Sequence, residues 1–177
     1  QYLLSLIVGS FFIFSTISAQ VYIYPEASEK TGISLSRSTH TGVEINFSLH
    51  QFELSEMDID GEPMKQINAP GKFLPNETGA PDLPGYSRYI AIPEGAEAEI
   101  TIESYRTETI KNIPISPAPE IPLVTDDGPL RYIKDNKIYN TDAYYPENPV
   151  RLSATTEIRG VDAVILGITP FRYNPVQ

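Results

Sequence analysis

Residues 41–64 read TGVEINFSLHQFELSEMDIDGEPM, and their alternation decides the fold class. In an extended chain Val43, Ile45, Phe47 and Leu49 face one way while Glu44, Asn46, Ser48 and His50 face the other. A period of two belongs to a strand with one buried face. Phe52 and Leu54 continue the apolar set after a change of register, as a bulge near His50 and Gln51 would produce. Asp60-Gly61 then stands between two such runs, and this dipeptide accepts the left-handed backbone of a tight hairpin turn.

Toward the C-terminus, residues 72–85 form a proline- and glycine-rich run that reads as a loop ending at Pro84-Gly85. A strand is expected over residues 86–92, followed by a turn at Pro93-Glu94-Gly95. Another strand then places Ala98, Ile100 and Ile102 on one face and Glu97, Glu99 and Glu103 on a solvated one. From residue 113 to residue 145 the pattern fails. Pro114, Pro117, Pro119, Pro122 and Pro129 argue against a central strand there, and so long a stretch reads as a functional or mobile loop. Strand pattern returns at residues 150–152 and 155–159 and is strongest at residues 161–168, VDAVILGI. From Val164 onward this last strand is apolar on both faces, so we expect it to be central, with one neighbour supplied from beyond Gln177. No sustained helical period occurs outside the N-terminal apolar run. The fold expected is all-β, an antiparallel β-sandwich of Greek-key or jelly-roll kind, ending before its final strand.

Composition agrees. The 177 residues suit one domain, and 16 prolines, 11 glycines and 11 tyrosines suit many short strands and turns. A net charge of -10 leaves no basic patch for nucleic acid. With no cysteine, disulfides, thiolate metal sites and a cysteine nucleophile are excluded within these residues. His40, in a Ser/Thr-rich turn, and His50, on the polar side of its strand, are the only imidazoles and read as solvated surface. Neither DIDGE (58–62) nor TDDG (125–128) has the spacing of a calcium loop, so both read as turns. Asn76-Glu77-Thr78 matches a glycosylation sequon, a short pattern of little weight. No metal site, cofactor or catalytic residue is expected, and the chain reads as a non-enzyme.

Residues 2–19, YLLSLIVGSFFIFSTISA, carry no charge and end in small side chains. A run this short followed by polar chain is the pattern of a secretory signal peptide rather than of a membrane span, with cleavage expected between Ala19 and Gln20. Residues 1–19 are therefore assigned as the signal and 20–177 as the mature domain, without a membrane span. An initiator Met and a basic leading segment are missing from the run, so the sequence is expected to begin inside the leader.

Four segments together resemble one family. TGAPDLPGYSRYIAIPEGAEAEI (78–100) resembles the Gly-x-Pro-x-Leu-Pro segment and following strand of the propeptide domain of gingipain-type cysteine proteases. NIPISPAP (112–119), YYPENPVRL (144–152) and EIRGVDAVILGITPFRYNPV (157–176) are similar to later parts of that domain and occur in the same order. The resemblance implies a secreted bacterial prosegment that inhibits, and helps to fold, a downstream cysteine endopeptidase. It also implies one further strand and then the catalytic domain beyond residue 177. Members are typical of Bacteroidetes-type bacteria and use the type IX export machinery, reaching the cell surface or medium through the periplasm.

Such a prosegment blocks the protease cleft with an extended loop, for which residues 117–131 are the candidate. Leu123, Val124 and Thr125 stand where the anchor of the specificity pocket is expected, and the nearest base is Arg131. Either Arg131 reaches the pocket or the protease prefers an apolar residue. Two other readings remain at this point: a stand-alone secreted adhesion or carbohydrate-binding module using tyrosines as platforms, and the N-terminal domain of a sortase-like surface relative.

Overall fold

The register change at His50 and Gln51 is a switch between two sheets. In the computed structural model, which describes residues 19–71, 76–123 and 128–177, β2 (Gly32–Thr39) and β3 (Gly42–Ser48) form one hairpin. After Leu49 and His50 the chain enters β4 (Gln51–Ile59), which lies between β1 (Gln20–Ile23) and β5 (Glu62–Asn68) in a second, antiparallel sheet. The expected bulge is thus a crossing. His50 is also corrected: it is half-buried, its N–H bonds Thr31 Oγ1 at 2.9 Å, and its Nδ1 is buried without a partner among the described residues.

The Asp60-Gly61 turn closes the β4–β5 hairpin as expected, with Asp60 at φ 54° and Gly61 at φ 85°. Asp58 Oδ1 accepts the N–H of Gly61 at 2.9 Å, which fixes the turn from within. Phe52, Leu54 and Ile67 bring the buried faces of this hairpin against Leu83 and Ile115, and Tyr22 stacks on Phe52 at 4.7 Å. Each large side chain buried here contributes on the order of 1.5–3 kcal/mol.

The third sheet holds β6 (Tyr86–Ala91), β7 (Val150–Leu152), β8 (Thr156–Ile158) and β9 (Val161–Ile168). β9 is central, as its two-sided apolar pattern requires. Both neighbours, however, come from within the described chain: β6 on one edge, β7 and β8 on the other. The partner expected beyond Gln177 is not needed by this strand. The all-β, antiparallel expectation is borne out, with one short helix, α1 (Asn136–Tyr139), among the described residues.

Two proline-rich stretches read as loops are instead interior. Residues 114–118 run beside β5, where the N–H of Lys65 donates to Pro114 O at 2.7 Å and that of Ser116 to Lys65 O at 2.9 Å. Residues 79–82 pair with them from the other side, Ala118 N–H donating to Ala80 O at 2.7 Å and Asp82 N–H to Ser116 O at 2.9 Å. Pro81 faces Pro117 between those two bonds, where neither residue is asked for an N–H. Ser116 is 0% exposed, Ala80 and Leu83 1%. Prolines enter the interior of this sheet because they fall on the positions that do not donate.

Candidate functional site

The loop between the two legs of this interior structure is the candidate site, and its stem is built around Gly79. Gly79 donates its N–H to Ala118 O on the outgoing leg and accepts the N–H of Asp135 on the returning leg, each at 2.9 Å. Its φ of +84° and a Cβ position 2.7 Å from Ile133 O leave room only for hydrogen. The returning leg is held further by α1. Asp135 caps that helix through Lys137 N–H at 2.8 Å, Lys134 pairs with Glu62 at 2.6 Å, and the Tyr139 hydroxyl donates to Ile115 O at 2.9 Å.

One step outward, Glu120 N–H donates to Arg131 O at 2.9 Å and the Arg131 guanidinium pairs with the Glu120 carboxylate at 3.3 Å. Beyond this neck Ile121 is 78% and Leu123 71% exposed, and Leu130 is also exposed. Val124 and Thr125, the other two candidate anchors, lie outside the described residues, as does the leader up to residue 18. Gln20, the residue expected after the leader, opens β1. The structure therefore separates the sequence candidates: Leu123 is in the projecting part of the loop, and Arg131 is at its neck. Glu120 was not singled out from the sequence, although its charge opposite that of Arg131 across the proline-rich run was a readable sign.

What the described part of the arrangement offers is apolar contact. It presents apolar side chains on a stem tied to the core from both legs, so the cost of ordering them on a partner is lowered in advance. Among the described residues no group of three or more potential metal ligands comes together. No helix of the described residues is long and apolar enough to cross a membrane.

Several tyrosines pack against the interior, while Tyr89, Tyr105 and Tyr144 stay exposed. Tyr86 is buried, donates to Pro70 O at 2.8 Å, and has its phenol pushed up to about 12 by burial. Tyr24 is also pushed up to about 12, by burial first and then by the bond to Glu108. Burial likewise raises Tyr139, Tyr145 and Tyr173. Tyr145 and Tyr173 pair through reciprocal N–H to carbonyl bonds of 2.8 Å, and Asn174, 8% exposed, donates to Asp142 Oδ1 at 2.7 Å. The segments YYPENP and FRYNP thus hold each other.

Comparison with known proteins places these features. The chain is 23% identical over 138 residues to Lys-gingipain of Porphyromonas gingivalis, covering 74% of itself but 8% of that protein. It is 26% identical over 101 residues to gingipain R1 of the same organism, covering 57% of itself and 10% of that relative. Its fold matches a solved complex of the pro- and mature domains of Porphyromonas gingivalis RgpB with a TM-score of 0.74, at 21% identity, over 81% of this chain and 76% of that one. A structure bearing on zymogenic latency of gingipain K from Porphyromonas gingivalis matches with a TM-score of 0.72, at 19% identity, over 90% of each chain. The model of the Propeptide_C25 family matches residues 26–177. The chain accordingly belongs to the Propeptide_C25 family and shares the fold of the gingipain pro-domain structures.

Proposed function

We propose that this chain is the prosegment of a secreted cysteine endopeptidase, keeping a downstream catalytic domain latent during export and assisting its folding. The loop of residues 120–131 is the plug: it enters the substrate cleft, with Leu123 rather than Arg131 in the specificity pocket. One observation carries this reading, namely an apolar loop held on a stem that Gly79 ties from both legs. Family membership and the fold shared with a pro- and mature-domain complex support it. The packing of Tyr22, Tyr24, Tyr145 and Tyr173 against the core speaks against an adhesion module that would stack ligands on them. Export uses the type IX route, with removal of the leader before Gln20.

The test joins the chain to its own catalytic domain and measures activity of the unprocessed form against a panel of peptide substrates. Leu123→Ala is expected to raise basal activity at least tenfold, an effect of about 1.4 kcal/mol. Arg131→Ala is expected to raise it less than threefold. Full activity of the unprocessed parent form would sink the latency reading, and the reverse ranking of the two variants would place Arg131 in the pocket.

A further inference from the structure

The strand expected after the Pro93-Glu94-Gly95 turn is not formed: among the described residues no strand lies between β6 and β7, and residues 97–111 join no sheet. The sequence predicts a strand with Ala98, Ile100 and Ile102 on one face, and the chain here runs without turn, bend or helix. Burial alternates at its start, Ala96 and Ala98 half-buried and Glu97 and Glu99 exposed, as it does in extended chain. Yet no backbone N–H or carbonyl of residues 97–111 bonds another backbone group among the described residues. One exposed ion pair ties the segment to the rest of the chain, Arg106 to Glu26 at 2.6 Å. Ile100 and Ile102 remain exposed, and Tyr105 is 81% exposed.

Long exposed edges are usually blunted by lysine, proline or a bulge, because unpaired backbone recruits other strands. This one carries no proline and no base before Arg106. We propose that residues 97–111 are an acceptor edge for an added β-strand whose side chains alternate between apolar and basic. The apolar side chains of that strand lie beside Ala98, Ile100 and Ile102, and its bases meet Glu97, Glu99 and Glu103. Charge decides the partner. An acidic strand, or the acidic half of a second copy of this edge, would set carboxylate against carboxylate, which is unfavourable for residues directly opposed in a sheet. The recognition is strand addition: main-chain bonds give the affinity and the alternating side chains the choice. It rests on this segment alone and stands whether or not the loop of residues 120–131 inhibits a protease.

Backbone amide hydrogen exchange on the whole chain tests it, with two synthetic nine-residue peptides, one alternating valine with lysine and the other valine with glutamate. Without peptide, the amides of residues 97–111 should exchange nearly as fast as in unstructured chain. The lysine peptide should slow alternate amides of the segment at least tenfold while the glutamate peptide does not, and moderate salt should weaken the difference. Replacing Glu97, Glu99 and Glu103 together by lysine should invert the preference, which a merely misfolded variant would not do. Three results overturn the proposal: slow exchange of the segment in the dilute protein alone, failure of both peptides to protect it, or equal protection by both. Protection that grows with protein concentration in the absence of peptide makes a second copy the occupant and also overturns it.

Discussion

Glu120 and Arg131 meet twice, once through a backbone bond of 2.9 Å and once through an ion pair of 3.3 Å. Their side chains are 43% and 71% exposed, so water and salt screen the pair. Glu120→Ala is expected to change the unfolding free energy by less than about 1 kcal/mol. The backbone bond at the neck survives the substitution. A loss well above that in denaturant titration would mean the ion pair, rather than the Gly79 stem, sets the loop.

Gly79→Ala tests the stem directly. A left-handed non-glycine residue costs on the order of 1–3 kcal/mol, and here the added Cβ also sits 2.7 Å from Ile133 O. Gly61→Ala is the matched control, since Gly61 has φ +85° but nothing within 4 Å of its Cβ position. The Gly79 variant should therefore melt lower than the Gly61 variant, and equal melting temperatures would show that the close approach relaxes freely.

Much of this architecture is legible in the residues. The alternation of residues 161–168 locates β9 at its observed bounds, and its central place follows from apolar residues on both faces, Val164 and Leu166 on one, Ala163 and Ile165 on the other. Asp60-Gly61 gives the hairpin because the left-handed conformation is a local property. The buried proline segments were not legible: Pro117 and Pro81 read as loop residues because propensity counts a missing N–H without knowing whether that N–H is wanted. The β2–β3 hairpin was half hidden, since Leu35 stays 62% exposed and gives its strand no closed apolar face. Within the site, the legible part was the loop's location. The positions of Leu123 and Arg131 relative to the neck depend on the pairing of Glu120 with Arg131, of which only the opposite charges were readable.

Asn174 supplies a third test. Its amide donates to Asp142 at 2.7 Å while its Oδ1 accepts the N–H of Val176 at 3.0 Å. Removing both in Asn174→Ala should cost about 1–3 kcal/mol, the range for a buried polar partner left unmade. Asn174→Asp should be worse at neutral pH, because two carboxylates then face each other, and partly recover in acid as one takes a proton. A chemical-denaturation series in pH separates the two variants; a flat profile for Asn174→Asp would show that the amide contact is not made in solution.

Alkali offers a fourth. The Tyr86 phenol rises from 10.0 to about 12 because burial penalises the phenolate. Its contribution is fully present below the unfolded value of 10.0 and is lost as pH climbs through about 12. Tyr86→Phe forfeits the bond to Pro70, about 0.5–1.5 kcal/mol at neutral pH. It should also lose less stability than the parent between about pH 9 and about pH 12. Tyr24 keeps some of that slope in both proteins, as its raised phenol is untouched. Parallel curves for parent and variant would remove Tyr86 from the alkaline transition.

The facing prolines at positions 81 and 117 also act as a key for strand alignment. A slip of one residue turns the bonding side of one of the two strands around, so its pyrrolidine nitrogen would then point at a carbonyl that needs a donor. Each buried acceptor left alone in this way costs on the order of 1–3 kcal/mol. Versions of the pairing that slip by one residue are thereby penalised at its most enclosed point, while the native alignment loses nothing. The same residues that make the segment look unfit for a sheet exclude the registers one residue to either side of the native one.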